Sequence, residues 1–149
     1  MLLINKIFEK LDKNKQIYRD NCVTGLIPLD AGIRKGYIYV IGTVSTHPVA
    51  YVIVDKDSWV YKKEYDELDL PCHGGATYSQ DYLGVHIYAN KLVSPSDERW
   101  VVGWDYAHAD DKFGISDDDA KVYSIPQIMS DVCITIDYIY AQEDEEYEF

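Results

Sequence analysis

Apolar residues change their spacing along the chain, and each spacing predicts a different element. Residues 3–11 place Leu, Ile and Phe three and four positions apart, which predicts a short amphipathic helix. Tyr37–Val44 is dense in β-branched and aromatic residues and predicts a strand. Trp and Val surround Gly103 in a similar way, so Arg99–Asp105 is predicted to be a buried strand.

The segments between these elements have weaker patterns. Residues 20–32 contain Asp, Asn, Gly and Pro, which predict a turn-rich connection. His47–Pro48 predicts a turn, and residues 49–54 fit either a further strand or part of a loop. Residues 55–67 mix charged and aromatic side chains and predict an excursion over the sheet. Residues 77–88 fit two strands or one interrupted strand.

The clearest pattern lies near the C-terminus. Ser124, Pro126 and Gln127 form a capping box that predicts the start of a helix. One face of this helix is apolar and consists of Ile125, Ile128, Met129, Val132, Cys133, Ile136 and Tyr140. The acidic tail, residues 143–149, is expected to fray. The chain, residues 1–149, is therefore predicted to be one α+β domain, with a small, mostly antiparallel sheet packed by a C-terminal amphipathic helix and a short N-terminal helix.

The net charge of the chain argues against some kinds of binding partner. The net charge is −12, from 26 acidic and 14 basic residues. Contacts to phosphates need Lys and Arg, so this charge argues against direct binding of nucleic acid or of an anionic membrane, and it suits a partner with a basic surface. The apolar run at the N-terminus is too short for a signal peptide and no stretch approaches a membrane span, so we expect a cytoplasmic protein.

One candidate for site chemistry is the segment Pro71–Ser79, in which His73 precedes Gly74 and Gly75. Adjacent glycines let the backbone approach a ligand closely, or let its N–H groups face an anion. Glycine pairs also occur in ordinary turns, so turn formation remains the alternative interpretation.

The second candidate lies at the end of the predicted strand 99–105, where Asp105 and His108 are three residues apart. In one functional interpretation, Asp105 orients the His108 imidazole as a general base; in the other, both residues ligate a metal. The structural alternative is that Asp105 caps a turn and His108 lies on the surface. A zinc site of His73, Asp105 and His108, with Cys72 as a soft alternative ligand, is compatible with the residue types. The spacing does not support a metal, so no cofactor is predicted.

The combined motifs resemble a largely uncharacterised family of small proteins from tailed phages and prophages. That family usually carries Gly-His-Pro, a Tyr-Asp-Asp stretch leading to His-Gly-Gly-Leu/Ile-Thr-Tyr/Phe, and Gly-Phe-Asp-Cys-Ala-His-Ala-Gly-Asp. The resemblance covers about residues 36–111, and the matching residues are His47, Tyr65, Asp66, His73, Gly74, Gly75, Thr77, Gly103, Asp105, Ala107, His108, Ala109 and Asp111. Trp104, Tyr106 and Asp110 depart from it, and Tyr106 in place of Cys puts thiol chemistry at that position in doubt.

The resemblance implies a phage context and supplies no reaction. Small phage accessory proteins often counter host defence, so the leading hypothesis is a non-catalytic inhibitor of a host function, above all of anti-phage immunity. It would bind a host protein with a basic surface or sequester a small nucleotide-like ligand. The second hypothesis is a hydrolase of a nucleotide-like substrate, with His108, Asp105 and His73 as catalytic residues, with or without a metal. The third is a structural or assembly role.

All of these hypotheses except the structural one centre on one predicted pocket, in which the two segments meet and contribute two imidazoles and a carboxylate to the same hollow. The residues expected to line it are His47, His73, Gly74, Gly75, Thr77, Tyr78, Trp104, Asp105, His108 and Asp111.

Overall fold

An antiparallel sheet of five strands forms the centre of the fold, in the order β1-β2-β3-β5-β4. This computed structural model describes residues 26–44, 47–81, 99–106 and 123–146. The elements are β1 (Leu26–Arg34), β2 (Tyr37–Val44), β3 (His47–Asp55), a short 3₁₀ helix (Tyr65–Glu67), β4 (Tyr78–Gln80), β5 (Arg99–Asp105) and helix α1 (Ile125–Glu146). The α+β class and the antiparallel sheet are as predicted, whereas the predicted N-terminal helix lies outside the described residues.

The first hairpin, β1–β2, shows where the sequence prediction failed. Residues 26–34 form a strand, so the turn-rich connection predicted over 20–32 is wrong for this part. Pro28 lies where the β1–β2 register shifts, and β1 is an edge strand, which tolerates a residue without an N–H donor. Lys35 and Gly36 connect the strands with φ angles of 50° and 85°, as a two-residue hairpin turn with left-handed residues requires.

Strand β3 settles the ambiguity over residues 49–54 in favour of a strand. His47–Pro48 begins that strand and is not the turn that was predicted. Residues 49–54 are all buried because β3 lies between β2 and β5, with both faces covered. A strand buried on both faces has a continuous apolar run in place of an alternating pattern, which explains why the sequence alone left a loop as an alternative.

Helix α1 begins with the predicted capping box. The Ser124 N–H donates to Gln127 Oε1 at 2.8 Å, and the Gln127 N–H donates to Ser124 Oγ at 3.3 Å. The fully buried face consists of Ile128, Val132, Thr135, Ile136 and Ile139, whereas Ile125 and Tyr140 of the predicted stripe are exposed. Glu143 accepts hydrogen bonds from Ser58 Oγ and from the Trp59 N–H, so fraying from residue 143 onward is wrong at this position.

One core lies between the sheet and α1. The segment after β3 packs into this core through buried Val60, Leu68, Leu70 and Cys72. The indole of Trp59 donates to the carbonyl of Ile139 in α1 at 3.0 Å. The β1–β2 hairpin is joined to the same helix by Arg34, which binds both carboxylate oxygens of Asp137 at 3.0 Å and holds the pKa of that carboxyl at about 2.

Candidate functional site

The two candidate segments meet, as the sequence predicted, over the part of the second segment that is described, residues 99–106. The Thr77 N–H donates to the Gly103 carbonyl at 2.9 Å, and the Thr77 hydroxyl donates to Asp105 Oδ2 at 3.3 Å. Strand β4 then pairs with β5, with Tyr78 opposite Gly103. The short strand β4 therefore fixes the glycine-containing segment against the end of β5.

His73 belongs to an aromatic cluster with Tyr106 and Tyr123. Its imidazole stacks on the Tyr106 ring, with centroids 4.8 Å apart and planes 9° from parallel. The Tyr123 ring is tilted against both other rings at 4.8 Å, and its hydroxyl lies 3.4 Å from His73 Nδ1. This environment holds the half-buried imidazole between two aromatic rings.

Tyr106 connects the aromatic cluster to the core. Its hydroxyl donates to Asp131 Oδ2 in α1 at 2.6 Å and accepts from the Trp104 indole N–H at 3.1 Å. Burial and the hydrogen bond to Asp131 both raise the pKa of Tyr106, so the phenol stays protonated. The Tyr106 hydroxyl therefore links the end of β5 to the helix.

Asp105 faces away from this cluster. Successive residues of a strand point to opposite faces, so Asp105 lies on one face of the sheet and Trp104 and Tyr106 on the helix-facing side. His73 therefore stacks on Tyr106 on the helix-facing side, whereas Asp105 accepts a hydrogen bond from Thr77. Of the two histidines in the described ranges, His47 shares the face of Asp105. Val49, two residues further along β3 and on the same face as His47, lies directly opposite Asp105.

The remaining predicted site residues have varied surroundings. Trp104 is 1% exposed and forms part of the core, so it does not line an open pocket. Tyr78 is half-buried and packs edge-on against Tyr51, with centroids 5.1 Å apart. Gly74 and Gly75 both have positive φ and form a turn in which the Gly75 N–H donates to the Cys72 carbonyl, which matches the turn interpretation. His108 and Asp111 lie outside the described residues, so their roles stay predictions.

Cys72 lies in the core, and this argues against the ligand role that was considered for it. The residue is 8% exposed, and burial raises the pKa of its thiol to about 12. A neutral, buried thiol is a poor nucleophile and a poor metal ligand.

Alkylation tests this assignment of Cys72. In the folded protein at pH 8, iodoacetamide is expected to leave Cys72 largely unmodified while labelling the half-buried Cys133 faster, because so little Cys72 thiolate is present. Peptide mass spectrometry after timed labelling measures both rates, and labelling in urea provides the control in which both cysteines react. Modification of native Cys72 at its unfolded rate would contradict the assignment.

A cavity of about 300 Å³ opens at the other end of the sheet, and the sequence analysis missed it. It lies where β2 and β5 begin and β3 ends, next to the last turns of α1. Its polar and aromatic lining includes Lys35, Tyr37, Asp55, Arg99, Tyr140 and Glu143. These residues come from distant segments and share no local motif, so no sequence signal could have grouped them.

Within the described ranges, no group of three or more His, Cys, Asp or Glu side chains is arranged to hold a metal ion. The helix in the described part of the chain does not combine the length and the apolar character that crossing a membrane requires. Comparisons with protein-family models, with curated proteins and with solved structures gave no match.

Proposed function

We propose that this protein is a phage-type accessory protein that inhibits a host function by binding a host protein with a basic surface. The observation that carries the proposal is an exposed acidic turn, made of Glu64, Tyr65, Asp66, Glu67 and Asp69. The central 3₁₀ helix of this turn has no buried residue, and both flanking acidic residues are exposed. The resemblance to tailed-phage proteins supplies the host context.

The acidic turn has a fixed backbone. The Tyr65 N–H donates to Ser79 Oγ at 3.0 Å, and that hydroxyl donates to Glu64 Oε2 at 2.9 Å. Leu68 and Leu70, which follow the 3₁₀ helix, are buried in the core. A surface that is already ordered loses little conformational entropy on binding, which favours affinity for a partner of complementary charge.

The side chains of the turn suit a basic partner. The net charge of −12 attracts a positively charged protein over a distance, and the carboxylates of Asp66 and Glu67 add local complementarity. Tyr65 is 44% exposed and offers an aromatic ring of the kind that is enriched at interface centres. A basic surface that normally binds nucleic acid has the charge that this turn requires.

Sequestration of a nucleotide and hydrolysis of a nucleotide-like substrate receive less support. Asp55, Asp57 and Glu143 line the cavity, and their negative charges oppose binding of a nucleotide phosphate there. His73 and Asp105 lie with different partners on opposite sides of the sheet, whereas a hydrolase of the predicted kind needs them to converge.

An infection assay tests the proposal in cells. Bacterial strains that each carry one nucleic-acid-targeting defence system, including CRISPR effectors, produce the protein and are challenged with a sensitive phage. We expect plaquing to recover in at least one strain, and the double variant Asp66→Asn/Glu67→Gln to weaken that recovery. The control Asp55→Asn/Asp57→Asn removes the same charge at the cavity and is expected to inhibit like the unmodified protein.

Binding to the purified effector from the responding strain provides the quantitative test. The affinity is expected to fall steeply as salt rises from about 50 to 300 mM, and the Asp66→Asn/Glu67→Gln variant is expected to bind about tenfold more weakly. If plaquing recovers in no strain, or if binding is insensitive to salt, the proposed electrostatic docking is contradicted.

A further inference from the structure

The cavity at the far end of the sheet contains a polar group that the protein leaves unsatisfied. Arg99 lines this cavity, and its Nε atom is buried without a hydrogen-bond partner. A buried donor without an acceptor costs free energy, so a ligand acceptor that reached this guanidinium would stabilise the folded protein. A carboxylate is well matched to a guanidinium, because its charge strengthens the hydrogen bond that it accepts.

Other charged groups of the cavity are already engaged. Glu143 accepts from Ser58 Oγ at 2.7 Å and from the Trp59 N–H at 3.2 Å. Lys35 Nζ lies 3.1 Å from Asp137 Oδ1 and 5.1 Å from the centre of the Tyr140 ring. Lys35 is thus held by other groups, whereas Nε of Arg99 has no hydrogen-bond partner among the described residues.

Asp55 gives the cavity a second recognition group. It is exposed at the end of β3 and lies directly opposite Arg99 in the β3–β5 register. Across the described residues, ion pairs join Arg34 and Lys35 to Asp137, and none joins Arg99 to Asp55. One oxygen of Asp55 accepts from the Asp57 N–H at 2.9 Å, which holds the carboxylate in place at the rim.

The two charges together select the ligand. A multiply charged anion would be repelled by Asp55, Asp57 and Glu143, and a simple cation would leave the Arg99 donor unsatisfied. Side chains directly opposite each other on neighbouring strands have Cβ atoms about 5 Å apart, which suits a ligand whose own two charges are adjacent. A cavity of about 300 Å³ lies at the lower end of the range for small-molecule sites.

We propose that this cavity binds a small zwitterion of the α-amino-acid class, with the ligand carboxylate on Arg99 and its ammonium group on Asp55. The exposed Tyr140 ring and the half-buried Tyr37 ring form aromatic walls for the rest of the ligand. This site is separate from the acidic turn and goes beyond the proposed docking function.

Ligand-observed NMR on the full chain, with each of the common L-amino acids as the probe, tests the proposal. At least one amino acid is expected to bind. For an amino acid that binds, analogues lacking one charge follow; for L-valine these are isovalerate, without the amine, and isobutylamine, without the carboxylate. Each analogue is expected to bind at least about tenfold more weakly than the amino acid, because each forms one of the two charged contacts.

Matched variants assign the two contacts. Arg99→Gln is expected to abolish detectable binding, and Asp55→Asn, which keeps the oxygen that accepts from the Asp57 N–H, is expected to weaken it about tenfold. Asp66→Asn on the acidic turn is the control and is expected to bind like the unmodified protein. If Arg99→Gln does not fold, the Asp55→Asn variant and the two analogues still test whether the cavity binds a zwitterion.

Three results would overturn the proposal: no binding of any amino acid, an analogue without one charge binding as tightly as the amino acid itself, or no effect of Asp55→Asn. Because the infection assay uses the acidic-turn variants, failure of the zwitterion site and failure of the docking function are distinguishable.

Discussion

Replacing Gly103 by alanine is expected to lower the free energy of unfolding by about 3 kcal/mol. A Cβ atom at this position would lie 2.6 Å from Tyr51 Cδ1 and 2.8 Å from the Ala50 carbonyl oxygen. Neither neighbour can move cheaply, because the Tyr51 ring is buried against Tyr78 and the carbonyl belongs to the central strand β3. Urea unfolding followed by tryptophan fluorescence measures the loss.

Gly32→Ala is the matched control on the edge strand β1. There the Cβ atom would lie 2.5 Å from the hydroxyl of Tyr39, which is the far end of a half-buried side chain. That ring can rotate away, so a loss below about 1 kcal/mol is expected. If Gly103→Ala proves no more destabilising than Gly32→Ala, close packing of Tyr51 over Gly103 does not constrain the sheet.

Tyr106→Phe is expected to destabilise the protein by about 2 kcal/mol. The variant removes the hydroxyl that donates to Asp131 and leaves the buried indole N–H of Trp104 without its acceptor. The ring itself is retained, so stacking with His73 continues and the loss reports on the hydroxyl alone. Thermal and urea unfolding give the change in the free energy of unfolding.

A double-mutant cycle separates the Trp104 contribution. Trp104→Phe removes the indole donor, so adding Tyr106→Phe to it is expected to cost less than Tyr106→Phe costs in the unmodified protein. Strictly additive losses would show that the hydrogen bond between the two side chains contributes nothing measurable.

The raised pKa of Tyr106 adds a pH dependence with a defined sign. The folded state keeps the phenol protonated above its ordinary pKa of 10.0, whereas the unfolded chain releases the proton. The contribution of this group to stability is therefore fully present below pH 10 and declines as the pH rises further. Tyr106→Phe is expected to reduce the slope of stability against pH in that range.

The elements that the sequence predicted best have strong local signals. Tyr37–Val44 was predicted with the bounds that the structure has, and the capping box at Ser124 places the start of α1 correctly. Strand β1 was missed because Pro28 and Gly32 are typical of turns, and only an edge position beside the Tyr39 ring makes them compatible with a strand.

The candidate site was predicted in part. The contact between Thr77 and Asp105 confirms that the two segments meet, which local composition and the predicted strand ends were enough to suggest. The face of the sheet on which each polar side chain lies depends on the alternation of side chains along its strand and on the strands that pair with it. His73 stacks on Tyr106, which was not among the predicted pocket residues. Asp105 points to the face of the sheet that contains His47.

The sequence by itself therefore determined the secondary structure with local signatures, the acidic character of the surface and the meeting of two polar segments, because these follow from residue type and near-neighbour spacing. The tertiary structure alone decided which face each polar side chain occupies, the burial of Cys72 and the cavity around Arg99. These properties arise from strand register and helix docking, which bring together residues as far apart in the chain as Lys35 and Glu143.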